Sequence, residues 1–281
     1  MTPPTPTSYY RRRPGGFFEP TVHVQGVWNP TEQHMAPVSG LLVHAIEEHE
    51  PREDLQLARI TFEILGVIPR ALTEITVTTI RPGRTIELVE AVLVAGGRPA
   101  VRAHAWRMAR QRTVAVEGGA PEQLPAPETM PVWQGRERWA GGYIDSLEGR
   151  RAEASVPGRG QVWLRTDITL VEDVEVSPTA AFVGLVDTAN GVLVREDPSK
   201  WMFPNIDLSI HLWRQPKAGW VGFDTTVVFG GDGIGLTSTT LHDVDGPVGR
   251  SEQILTVRPL TPAPAPDVPA PDVPAPAPGL G

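Results

Sequence analysis

"FPNIDLSIHL", residues 203–212, alternates apolar and polar residues almost without fault. Ile206, Leu208, Ile210 and Leu212 fall on one side; Asn205, Asp207, Ser209 and His211 fall on the other. A period of two predicts a strand with two unlike faces. The stretch just upstream, "SPTAAFVGLVDTANG" (177–191), predicts a helix, with Ser177 as N-cap, Pro178 as first helical residue and Gly191 as the stop. Downstream, 220–230, 234–244 and 247–259 read as further strands.

The same order occurs earlier in the chain. "APVSGLLVHAIEEH" (36–49) reads as a helix with Pro37 in its first turn, and strand-like segments follow at 57–65, 72–81, 84–95 and 99–109. Gly96-Gly97 and Asp245-Gly246 sit at matching hairpin turns. Laid over each other, Pro37 falls on Pro178, Ile60 on Ile206 and Pro99 on Pro247. This pattern predicts an internal duplication and an α+β fold, one helix with four or five antiparallel strands used twice. Five segments are expected: a flexible 1–20, a first repeat 21–117, a Pro/Gly-rich linker 118–135, a second repeat 136–259, and a disordered Pro/Ala-rich tail 260–281.

Composition narrows the function classes. The 281 residues are 40% hydrophobic and 21% charged, enough to bury a substantial core. A net charge of -8 repels phosphate backbones, so no nucleic-acid partner is expected, and Arg11, Arg12 and Arg13 read as a solvated basic run. With no cysteine, disulfides, thiolate metal sites and cysteine nucleophiles are excluded. No apolar leader or membrane-length run is present, and a cytoplasmic protein without a membrane span is expected. There is no G-x-S-x-G elbow and no H-E-x-x-H, and "GGDGIG" (230–235) precedes a strand rather than a helix.

The duplication singles out positions where one half is polar and the other is not. Ile46 in the first helix corresponds to Asp187 in the second, Ala105 to Gln253, and Arg59 to Asn205. Folding needs no Asp on the inner side of a mostly apolar helix, because a buried carboxylate costs several kcal/mol unless it is satisfied.

The stretches "WNPTEQHMAPVSGLL" (28–42), "RPGRTIELVEAVL" (81–93), "GLVDTANGV" (184–192), "FPNIDLSIHLWR" (203–214) and "DVDGPVGRSEQILTVRP" (243–259) resemble the TesB-like acyl-CoA thioesterase family. The resemblance implies a double hotdog fold, two repeats each with a long antiparallel sheet wrapped around a central helix. It implies an acyl-CoA substrate, lipid metabolism and hydrolysis by water without metal or organic cofactor. By motif it carries the catalytic set onto Asp187, Asn205 and Gln253. It also makes the loop of His34, Met35 and Ala36 substrate-binding, and the comparison of halves, in which Thr61 gives way to Asp207, adds Asp207 as the supporting neighbour of Asn205. Two departures stand out: "HMAP" (34–37) replaces a Gly-Gly pair, and Asn205 is an amide at a position often held by a hydroxyl. The oxyanion is expected at backbone N–H groups where the helix begins near Pro37. The alternative is a non-catalytic acyl or acyl-CoA binding protein on the same frame; a hydratase would need an Asp-His or His-Glu motif that is not found. Two repeats in one chain leave monomer and homo-oligomer equally open.

Overall fold

The computed structural model describes residues 6–260. Strands β1 (Ser8–Arg13) and β2 (Phe17–Pro20) come first. Helix α1 (Met35–Glu48) follows, then β3 (Leu55–Ile64), β4 (Thr73–Arg81), β5 (Ile86–Ala95) and β6 (Arg98–Ala109). Two helical turns, α2 (Gly135–Arg138) and α3 (Gly142–Asp145), lead into β7 (Leu147–Arg151), β8 (Arg159–Thr166) and β9 (Thr169–Val171). Helices α4 (Pro178–Val186) and α5 (Ala189–Val192) precede β10 (Trp201–Met202), β11 (Asp207–Leu212), β12 (Val221–Phe229), β13 (Ile234–Asp243), β14 (Gly246–Thr256) and β15 (Arg258–Pro259).

Thirteen strands form one sheet, in the order β7-β8-β12-β13-β14-β11-β3-β6-β5-β4-β2-β1-β9. The halves meet at its middle, where β11 runs antiparallel to β3. Ile60 lies opposite Ile210, and the Ile64 N–H bonds to the Ile206 carbonyl at 2.9 Å. Exchanging the aligned positions Ile60/Ile206 and Ile64/Ile210 maps one pairing onto the other, as a local two-fold relation requires. Alternation explains the strands: inward Ile60, Phe62, Val89, Ala91, Leu208 and Ile210 are buried, with more exposed residues between them.

Helices α1 and α4 pack against each other, α1 also meeting β4 and β5 and α4 meeting β9 and β12. Met35 to His44 is buried throughout, as expected of a helix packed on several sides. The two helices cross backbone to backbone. A Cβ on Gly40 would stand 2.8 Å from the Gly184 Cα, and Ser39 donates to the Val183 carbonyl at 2.9 Å. Ser177 caps α4 by accepting from the Ala180 N–H at 3.0 Å, and Pro178 opens it. The helix expected over 177–191 is broken at Asp187 and Thr188 into α4 and α5.

The N-terminal segment, expected to be flexible over 1–20, instead builds β1 and β2. Tyr9, Tyr10 and Phe18 are buried, and the basic run is paired, Arg11 with Glu172, Arg12 with Glu48 and Arg13 with Glu19. Apolar anchors and ion-paired arginines together hold a segment whose composition reads as loose. Residues 118–135 carry no strand, but Leu124 and Met130 pack against Trp163, whose Nε1–H donates to the Pro125 carbonyl at 2.8 Å. The Pro/Ala-rich tail expected from 260 lies, beyond Leu260, outside the described residues. Among the described residues no helix is long and apolar enough to cross a membrane.

Candidate active site

The end of α4, the start of α1 and the strand β14 meet at one carboxylate. Asp187 is the C-cap of α4 and is buried, 5% exposed. Its Oδ1 accepts from Asn205 Nδ2 at 2.7 Å and from Gln253 Nε2 at 2.9 Å. The same Gln253 amide reaches the Asp187 carbonyl at 3.3 Å. Asn205 spends its second amide proton on the Asp207 carbonyl at 3.0 Å, and the residue lines the cavity. Gln253 Oε1 is buried and has no protein partner among the described residues. Oδ1 of Asp187 is therefore saturated, while Oδ2 is available to a third party on the cavity side; Gln253 is fully buried and does not line the cavity.

Burial pushes the Asp187 carboxyl up to about 6, and the hydrogen bonds from Asn205 and Gln253 hold it from rising further. His34 Nδ1 stands 3.6 Å from Asp187 Oδ2. Burial lowers the imidazole to about 3, so the ring is neutral near pH 7 and the contact is not an ion pair. His34 is the N-cap of α1, its Nδ1 accepting from the Ala36 N–H at 3.1 Å. Its ring stacks on Tyr143, 4.1 Å between centroids, and Tyr143 Oη shares a hydrogen bond with Thr188 Oγ1 at 2.6 Å.

A cavity of about 640 Å³ opens beside Asp187. Its walls are aromatic: Trp28 meets Trp139 edge-on at 5.2 Å and Phe203 at 5.7 Å, with Ile64, Ile68 and Ile206 completing the apolar lining. Trp139 is held by donation to the Gly191 carbonyl at 3.0 Å. Arg258 and Asn29 belong to the same lining. An apolar chamber with a few convergent polar groups is the ordinary form of a small-molecule site.

The residues singled out by sequence divide as follows. Asp187, Asn205 and Gln253 converge within hydrogen-bond distance; Asp187 and Asn205 line the cavity, whereas Gln253 is fully buried and does not. His34 and Met35 line the cavity beside Asp187. Ala36 is fully buried and does not line it, and its N–H is already bound by His34. Asp207 does not line it either, because its Oδ1 is occupied by the Ile254 N–H at 2.7 Å, a sheet contact. Pro37 has no N–H, so the start of α1 offers fewer free donors than expected. The aromatic wall and Tyr143 were missed. Trp28, Trp133 and Trp139 lie in Pro/Gly-rich stretches without periodicity, and three large aromatics in such composition are the signal that could have found them.

The sequence pattern of the acyl-CoA thioesterase N-terminal domain matches residues 24–108, and that of the acyl-CoA thioesterase C-terminal domain matches residues 120–257. No curated protein sequence matches this chain. Among solved structures, a conserved protein of unknown function with a hot dog fold from Alicyclobacillus acidocaldarius is 14% identical, with a TM-score of 0.69 over 88% of this chain and 94% of that one. The tesB protein of Mycobacterium avium subs paratuberculosis is 16% identical, TM-score 0.63, over 88% and 95%. An acyl-CoA thioesterase II from Mycobacterium marinum is also 16% identical, TM-score 0.58, over 80% and 90%. At these identities the likeness is one of fold, the hotdog.

Proposed function

The chain belongs to the acyl-CoA thioesterase family and is a thioester hydrolase, and on that premise we propose that Asp187, Gln253 and Asn205 direct water onto the carbonyl carbon of an acyl-CoA. The observation that carries this reading is the buried carboxylate with one oxygen saturated by two amides and the other free beside a 640 Å³ chamber.

The acyl group occupies the aromatic chamber. A water donates one proton toward Asp187 Oδ2, which aims a lone pair at the thioester, while Gln253 fixes the carboxylate by donating to Oδ1. As the carbon–oxygen bond forms, Asp187 takes the proton, and the carbonyl oxygen becomes an oxyanion. Collapse breaks the carbon–sulfur bond; the CoA thiolate leaves and recovers the proton from Asp187. Asn205 acts as a positioning residue for the carboxylate. A general base works best with a pKa near the operating pH, and burial brings Asp187 toward it.

We read the chain as two tandem hotdog repeats, residues 21–117 and 136–259, joined by 118–135, with β1 and β2 added to the first repeat's sheet. The exchange-related pairing of β3 with β11 and the separate N- and C-terminal domain matches support this arrangement.

The test is release of free thiol from a panel of acyl-CoAs of increasing chain length. The expected outcome is turnover of at least one member, with Asp187→Ala reducing kcat by about a thousandfold or more. Saturable binding without turnover, or full activity in Asp187→Ala, would overturn the assignment.

A further inference from the structure

Stabilising a thioester oxyanion needs hydrogen-bond donors, and the start of α1 is short of them. The His34 N–H bonds to the Val24 carbonyl at 2.8 Å, the Ala36 N–H is bound by His34 Nδ1, and Pro37 has none. Of the first-turn backbone donors, Met35 N–H is the one left without a partner among the described residues.

The bond that uses up Ala36 also fixes the chemistry of His34. A ring nitrogen that accepts from an amide carries a lone pair, so the single proton of the neutral imidazole is on Nε2. Burial opposes a second proton. The ring has one orientation, held by its cap bond and by the stack on Tyr143, which is tied in turn to Thr188 next to Asp187. It lines the cavity, and among the described residues no protein group accepts from Nε2. The ring therefore sets its acceptor nitrogen, Nδ1, 3.6 Å from Asp187 Oδ2 and carries its one uncharged donor, Nε2–H, on the other side of a ring that lines the cavity.

We propose that His34 Nε2–H, together with the Met35 N–H, holds the thioester oxygen as it becomes an oxyanion. This rests on reading the chamber as the thioesterase site. His34 is then a catalytic residue that keeps its proton throughout. The water's proton goes to Asp187 Oδ2, the negative charge gathers on the carbonyl oxygen, and it returns to break the carbon–sulfur bond. His34 cannot act as the base through Nδ1, which is engaged with Ala36. The side chain thus supplies the donor that its own capping bond withdraws from the backbone.

Capping alone is the competing role, and substitution separates the two. In His34→Ser a hydroxyl keeps an acceptor for the helix start but removes Nε2–H. Loss of one oxyanion donor lowers kcat by about 10²–10³-fold while KM stays near wild type, and loss of the stacked ring lowers Tm but leaves a folded enzyme. His34→Gln places an amide N–H close to the position of Nε2 and should recover at least part of the rate over His34→Ser. Nitrogen-15 NMR of the wild type at pH 7 should report the Nε2–H tautomer. A His34→Ser enzyme within about threefold of wild type, or an Nδ1–H tautomer, overturns the proposal. Asp187→Asn run in parallel keeps the two readings apart: if it loses turnover while His34→Ser does not, the donor falls and the role of Asp187 stands.

Discussion

At one end of the α1–α4 pair, the start of α1 faces the end of α4, and His34 stands 3.6 Å from Asp187. At the other, the start of α4 faces the end of α1, and Ser177 Oγ donates to Glu47 Oε2 at 2.6 Å. The mirror end also has a cavity, about 430 Å³, but Ile46 occupies the place of Asp187 and Ala105 that of Gln253. The helix ends are treated oppositely as well. Arg107, paired with Glu87, donates to the Ile46 and His49 carbonyls at the end of α1, a cation where the helix dipole favours one. At the end of α4 stands a carboxylate, which the dipole disfavours. One end of the pair is therefore arranged for stability. The other holds an anion in an unfavourable place, and two amides from separate elements make it tolerable.

Five substitutions probe this asymmetry between the two ends. The largest effect is expected from Ile46→Asp, which transplants the carboxylate without its amide donors. An uncompensated buried charge costs about 3–5 kcal/mol, so a melting experiment should show a Tm lowered by roughly 10 °C or more, or no folded protein. Next is Asp187→Asn. Because the folded pKa of Asp187 is raised, the folded state holds its proton more tightly than the unfolded chain. Stability is therefore lost as pH rises from about 4 to about 6 and does not return above it. Lifting a carboxyl from about 4 to about 6 corresponds to about 3 kcal/mol. Asp187→Asn should thus raise Tm at pH 7 by several degrees while abolishing turnover, and its stability should lack the loss between pH 4 and 6.

The helix crossing that sets both ends predicts an asymmetry. Gly40→Ala would press its Cβ to 2.8 Å from the Gly184 Cα and 2.9 Å from the Ala180 carbonyl oxygen. It should cost about 1–3 kcal/mol and lower kcat by moving His34 away from Asp187. Gly184→Ala meets nothing nearer than 3.6 Å and should change Tm by much less. The smallest effect is a displaced pH profile. Asp187 must be ionised to act, so kcat/KM should rise through about pH 6; Asn205→Ala removes a bond that favours the charged form, and the rise should move to higher pH.

What could be read from the sequence followed from physics that is local. Alternation in 203–212 and its counterparts located β3 to β6 and β11 to β14, and the Ser177-Pro178 start located α4. The comparison of halves pointed to Asp187, Asn205 and Gln253 because a polar residue replaced an apolar one at matched places. Long-range features were not legible. β1 and β2 depend on tyrosines buried against distant elements and on ion pairs to Glu48 and Glu172, which composition cannot report. The aromatic wall comes from loops with no period. Asp207 looked like part of the site because it shares a face with Asn205, whereas its carboxylate serves the Ile254 amide of the neighbouring strand. The tautomer of His34 required knowing that its ring turns back onto Ala36.

In the proposed mechanism Asp187 accepts a proton from water rather than attacking the substrate itself. A single turnover with enzyme in excess over acyl-CoA, run in ¹⁸O-enriched water, tests it directly. The acid released in that first turnover should carry the heavy oxygen, and the peptide containing Asp187 should stay unlabelled by mass spectrometry. Unlabelled acid together with ¹⁸O in the Asp187 carboxylate would contradict it.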